Sequence, residues 1–206
     1  MKSNICSVYR LSNKDRIHQG DLLRNFDFNY VSIDDAGKLY NDTVTLPYAL
    51  ILSQECDLEN DFNSRQSLTR EYDKLSQDKI KSYNDKLMQS ILISPAFPSN
   101  KLREGTHLSE HEHVLKINSK NWKIVKQNNN PRYHFLNESL LIDHSNNEKI
   151  ITSLALDFKS YFTVSRDFLY FQFKEHYLAS LNELFRESLS ARFSQYLTRI
   201  GLPEID

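Results

Sequence analysis

The stretch that most constrains this chain is "LPYALILSQECDLEND", residues 46–61. Tyr48 to Leu52 form an unbroken apolar run, preceded by Pro47 and followed by polar residues, and it is too short for a buried helix. That pattern belongs to a strand covered on both faces. It commits the fold to a sheet with a second layer over it. The run then breaks into Ser53, Gln54, Cys56 and Asp57, so reactive and hydrogen-bonding groups crowd the exit of a core strand. Rigid strands hold loop residues in place, and this exit is therefore expected to carry function.

Other segments extend the sheet. "QGDLLRNFDFNYVSI" (19–33) alternates imperfectly through Leu23, Phe26, Phe28, Tyr30 and Val31, as a half-buried strand with a bend does. "DDAGK" (34–38) reads as a turn, and "SILISPAF", "RYHFLNE", "LLIDH" and "IITSLALDFKSYFTVS" as further strands. With only 4 glycines in 206 residues, turns must be built from Asn and Asp, as in "NNNP" and "DHSNNE".

Between residues 66 and 89 the pattern changes to helical spacing, through Leu68, Tyr72, Leu75, Ile80, Tyr83 and Leu87. A weaker helical signal over 100–118 is interrupted by Gly105. Residues 59–89 and 99–130 are expected as two insertions in a β framework. At the C-terminal end, Ser180 and Glu183 have capping-box spacing. Leu181, Leu184, Phe185, Leu189, Phe193, Tyr196, Leu197 and Ile200 then trace one apolar stripe, stopped by Gly201 and Pro203. A closing helix is expected over 179–200. The whole reads as one domain, 1–206, mainly β with helices (α+β), a β-barrel-like core carrying two insertions and a C-terminal amphipathic helix.

The net charge of −1 supplies no global field for nucleic acid, so such contact needs a local patch. Cys6 and Cys56 make neither a disulfide framework nor a zinc knuckle, which fits a reducing compartment. The first residues lack an apolar signal core, and no run reaches membrane-spanning length. A cytoplasmic protein without membrane contact is expected.

Several residues carry candidate chemistry. Cys56 as nucleophile would need a base, and His134 on another strand is the candidate, with Asp57 orienting it and Gln54 donating to an oxyanion. The alternative is a buried Cys56 acting as a small hydrophobe, with Asp57 capping the turn. Arg132 and His134 share one strand face and would grip a phosphate or carboxylate, unless they form the polar face of an edge strand. Arg166 lies at a strand exit beside Asp167, and Arg192 and Arg199 share one side of the last helix; salt bridges are the alternative for each. His107, His111 and His113 lack the Glu that metalloproteases place after the first His, so no metal or cofactor is expected. Trp122 with Lys123 and Lys126 makes a small patch suited to a nucleic-acid strand.

Three of these pieces resemble the MazF/PemK group of bacterial SH3-like barrels: Gly20–Asp21 in "HQGDLLRNF", the Pro, apolar run and Ser53 of "LPYALILS", and "FTVSRDFL" followed by a final helix. They cover about a third of the chain. The resemblance implies an SH3-like (PemK-like) barrel and RNA as substrate. It departs at one point: the ribonucleases place an Arg before that Pro to stabilise charge on the scissile phosphate, and here the position is Leu46. The pattern "SQECD", "PRYHFL", "RIGLP" also resembles an uncharacterised bacterial family associated with defence or toxin–antitoxin-type operons. That second likeness implies that the first two segments converge on one pocket.

The expected function is a binding module holding a ligand, a nucleic-acid end or an operon-encoded protein partner through Ser53, Gln54, Asp57, Arg132 and Arg166, with a homo-oligomer as a further possibility. A divergent endoribonuclease or a hydrolase using Cys56 and His134 is the alternative. An assembly component acting through its last helix is the second.

Overall fold

The computed structural model describes residues 7–108, 115–142 and 148–199. The elements run β1 (Tyr9–Arg10), β2 (Asp21–Ile33), β3 (Leu39–Ile51), α1 (Glu55–Glu71), α2 (Gln77–Asn84), β4 (Ser90–Pro98), α3 (Ser99–Glu104) and α4 (Ser119–Lys126). They continue as β5 (Tyr133–Leu136), β6 (Ser139–Ile142), β7 (Glu148–Ile151), β8 (Leu154–Asp157), β9 (Phe162–Ser165), α5 (Arg166–His176), β10 (Tyr177–Leu181) and α6 (Glu183–Leu197). The fold is mixed α+β, and every strand pair whose register is described is antiparallel. The chain forms two compact units, Arg10–Pro95 with Tyr161–Ser180, and Met1–Tyr9 with Ala96–Ser160 and Leu181–Asp206.

The first unit is organised by the β2–β3 hairpin, paired from Leu22↔Leu50 to Ile33↔Leu39. Its turn is closed by Asp34, whose Oδ1 accepts from the N–H groups of Ala36 and Lys38, while Gly37 takes a φ of +79°. The bend in β2 falls at Asn25, at a φ of +51° opposite Pro47, where the ladder lacks a donor. Near the strand roots Leu23, Phe26, Ala49 and Ile51 are buried, whereas Val31, Ile33 and Leu39 near the turn are exposed. Strand β10 flanks β2, and β4 pairs through Ser90–Ile93 with β9. Leu58 of α1 and Leu169 and Phe173 of α5 complete this core, joined by Ile17, Ile91 and Ile93. Its drive is the removal of apolar surface from water, about 25 cal/mol per Å².

Helix α5 was not foreseen. "RDFLYFQFKEH" carries several aromatics that favour strands, but only Leu169 and Phe173, one helical turn apart, are buried.

In the second unit Ala96–Pro98 of β4 pairs with β8, which pairs in turn with β5, and β6–β7 form a separate hairpin. Phe97, Leu102, Trp122, Val125, Phe135 and Ala155 make its core. Asn118 caps α4, accepting from the N–H of Asn121 at 2.9 Å. Helix α6 buries Leu189 and Phe193, whose ring centroid lies 5.3 Å from that of Phe158. The expected capping box is corrected: Ser180 belongs to β10, and Asn182 occupies the N-cap of α6. Leu184 and Leu197 of the expected stripe are exposed, while Ile200, Gly201 and Pro203 lie outside the described residues. Among the described residues no helix is long and apolar enough to cross a membrane.

Candidate functional site

In the first unit the exit of β3 is tied to the loop 16–21 by one carboxylate. Glu55, the first residue of α1, accepts at Oε1 from Arg16 Nη2 at 2.7 Å and pairs with His18 Nδ1 at 2.9 Å. Its Oε2 accepts from the N–H of Gln19 at 2.8 Å. Burial alone would raise the Glu55 pKa, but the His18 and Gln19 hydrogen bonds and the His18 and Arg16 charges outweigh it and hold it down to about 2. Gln19 Nε2 also donates to the Leu52 carbonyl at 3.1 Å, and the Gly20 N–H to that of Ile51 at 2.9 Å. Gly20 has a φ of +83°, a conformation that favours glycine.

Asp21 follows and is fully buried, at 0% exposure. Its Oδ2 accepts from the His18 N–H at 2.7 Å and its Oδ1 from Ser180 Oγ at 2.5 Å. Ser180 Oγ lies 2.9 Å from the Tyr177 hydroxyl, which accepts from the Ser12 N–H at 2.8 Å. Burial pushes the Asp21 carboxyl up to about 6, against the Ser180 and His18 hydrogen bonds that pull it down.

The residues picked out at the strand exit divide. Ser53 is buried, and its Oγ accepts from the Leu92 N–H at 2.8 Å, fastening the segment just after β3 to β4. Gln54, Cys56 and Asp57 are exposed at the start of α1. The Cys56 thiol donates to Gln54 Oε1 at 3.7 Å and to Asp57 Oδ1 at 3.6 Å. The alternative of a buried, inert Cys56 is therefore corrected.

Arg166 sits deeper. Asp61 of α1, 2% exposed, accepts at Oδ2 from Arg166 Nε at 2.9 Å and at Oδ1 from Arg65 Nε at 2.8 Å and the Met88 N–H at 2.9 Å. The Arg166 guanidinium also stacks 3.8 Å from the Tyr170 ring centroid.

His134 belongs to the second unit and is 2% exposed. Its Nδ1 accepts from Arg192 Nε at 3.2 Å. The same guanidinium donates to the carbonyls of Asn128, Asn130 and Tyr133, so Arg192 caps a turn and a strand start. Burial, reinforced by the Arg192 charge, lowers the His134 pKa to about 3. Arg132 fits its planar fork to Asp157, Nε to Oδ1 at 2.8 Å and Nη2 to Oδ2. Cys56 and His134 thus lie in different units, and Arg132 faces Asp157 rather than standing free beside His134. Trp122 is buried against Phe135, so the expected stacking patch loses its indole to the core. His107 is half-buried against Phe97, His111 and His113 lie outside the described residues, and among the described residues no metal-binding cluster forms.

Sequence reasoning passed over Arg16, Glu55 and Asp61, and quoted Asp21 only for the Gly–Asp resemblance, with no role of its own. Asp61 had a readable signal: it falls with Leu58 and Ser64 on one buried stripe of α1, and a carboxylate on such a stripe requires cations. The clamp on Glu55 joins residues 36 to 39 positions apart, which no local periodicity records.

The chain matches no protein family, no curated protein and no solved structure.

Proposed function

We propose that this chain is a non-catalytic binding module with a PemK/MazF-like barrel core, recognising a partner protein through the start of α1. The observation that carries the reading is the Glu55 clamp. One carboxylate fixes Arg16, His18 and the Gln19 amide, so Gln54, Cys56 and Asp57 project from a braced corner rather than a loose loop. Preorganisation of that kind lowers the entropy cost of association. The first turns of α1 also carry Asp57 and Glu59, exposed carboxylates that repel a phosphate backbone and suit a protein face with cations. His134, buried and neutral, is unsuited to act as base for an exposed thiol, and Leu46 is interior where the resembling ribonucleases use Arg. The two resemblances support a bacterial defence or toxin–antitoxin-type setting in the cytoplasm, with the partner encoded in the same operon.

The test uses the Cys6→Ser chain carrying a maleimide photo-cross-linker on Cys56, irradiated with the protein encoded by the adjacent gene. A cross-link lost in the Asp57→Lys variant supports the module; a cross-link to a second copy of the chain makes the partner itself. RNA or ester cleavage that disappears in Cys56→Ser replaces binding with catalysis.

A further inference from the structure

Beyond that corner, the geometry points to a second site: a cleft on the later turns of α1 that binds the phosphate monoester of a nucleotide. The cleft, about 470 Å³, is lined by Phe62, Arg65, Gln66, Leu68, Thr69, Arg70, Leu87 and Arg166. Three of these are arginines and none is acidic. A cavity of this size suits a small organic ligand.

The arginines are arranged rather than merely present. Asp61, buried beneath them, takes the Nε of Arg65 at 2.8 Å and the Nε of Arg166 at 2.9 Å. Arg65 Nη2 donates further to the Met88 carbonyl at 2.8 Å, and Arg166 Nη1 to Asp167 at 3.0 Å. Arg65 and Arg166 both line the cleft, and a guanidinium carries more N–H donors than these bonds use. Asp61 orients both arginines and Asp167 pairs with the second, so the two forks are fixed and their charge is balanced locally, while Arg70 is exposed at the rim as a further cation. Planar forks held in place offer paired N–H donors to phosphate oxygens, and Arg70 supplies the unbalanced positive charge. Phe62, Leu68 and Leu87 add an apolar wall, and Gln66 and Thr69 supply polar groups, so the body of the ligand is a planar base with hydrogen-bonding edges.

The test is titration calorimetry on the full chain with adenosine monophosphate, adenosine, inorganic phosphate, and an oligothymidylate with and without a terminal phosphate. Adenosine monophosphate is expected to bind more tightly than adenosine or inorganic phosphate, and to weaken with added salt. Arg70 makes no hydrogen bond or ion pair among the described residues, so Arg70→Glu is expected to fold normally and to weaken binding by about tenfold or more, as loss of one charge-assisted contact does. Arg166→Lys keeps a cation beside Asp61 but loses the fork, and is expected to weaken binding with the circular dichroism spectrum unchanged. Equal affinity for the mononucleotide and the phosphorylated oligonucleotide identifies a free nucleotide as ligand; much tighter oligonucleotide binding identifies a nucleic-acid end. Adenosine binding as well as its monophosphate, no saturable binding by the folded chain, or binding indifferent to Arg70→Glu overturns the site. Each of these outcomes is independent of cross-linking at Cys56.

Discussion

Arg192 donates through Nε to Nδ1 of His134 across 3.2 Å, which places the imidazole proton on Nε2 and keeps the ring neutral. A cation beside a buried imidazole opposes its protonation, and burial opposes it more. The folded pKa of about 3 lies far below the ordinary 6.5. As pH falls through 6.5 the unfolded chain takes a proton that the native chain refuses, so stability drops progressively toward pH 3. In a proton NMR titration the His134 ring is expected to stay silent from about pH 8 to pH 5. A midpoint near 6.5 would disprove the neutral tautomer.

Asp21 works in the opposite direction. Its folded pKa is raised to about 6 from 3.8, so the native carboxyl holds its proton where the unfolded one has released it. Its stabilisation is present below pH 3.8 and is lost as pH rises through 6. Asp21→Asn removes that titration while keeping an acceptor for the His18 N–H. The melting temperature of the variant minus that of the parent is therefore expected to increase between pH 4 and pH 7. A difference independent of pH would mean that Asp21 ionises normally inside the fold.

Glu55 is expected to behave as a brace. Glu55→Ala removes a charged acceptor from Arg16, His18 and the Gln19 N–H at once, a loss of about 1–3 kcal/mol by urea unfolding near neutral pH. Glu55→Gln, which keeps an acceptor oxygen for Gln19, is expected to lose less. In both variants the Gln19 amide should exchange its hydrogen faster than in the parent, because the bond that protects it is gone or weakened. Unchanged exchange would show that the Gly20 N–H bond to Ile51 and the Gln19 side-chain bond to Leu52 suffice.

Which features could be read in advance follows from whether a short-range pattern recorded them. Strand β2 announced itself through the imperfect alternation ahead of "DDAGK", because strand faces repeat every second residue, and the end of β3 through its unbroken apolar run. Helix α1 starts at Glu55, ahead of the first clear helical spacing, because its opening turns are acidic and carry Leu58 as their buried apolar residue. Ser180 mimicked a helix cap since Ser–x–x–Glu spacing carries no record of the hydrogen bond to Asp21, 159 positions away. The exposed corner at Gln54, Cys56 and Asp57 was readable from the end of an apolar run. What braces it was not, because Glu55 meets its partners only through tertiary contact. Likewise, strand alternation set Arg132 and His134 on one face but could not say that Arg192 and Asp157 would cover them.

Helix α6 separates an interior face from an exposed one within a single apolar stripe, which makes the stripe testable residue by residue. Phe193 is buried, packed at 5.3 Å from Phe158, whereas Leu184 on the first turn is exposed. Truncating a core aromatic forfeits transfer energy and leaves a cavity, so Phe193→Ala is expected to lose about 3–5 kcal/mol in urea unfolding. Leu184→Ala exchanges one exposed apolar group for a better helix former and should stay within about 0.5 kcal/mol of the parent. Both variants are measured at two protein concentrations about tenfold apart. A large loss for Leu184→Ala that shrinks on dilution would mean that a second copy of the chain covers that turn, moving the outer stripe of α6 from solvent to an interface.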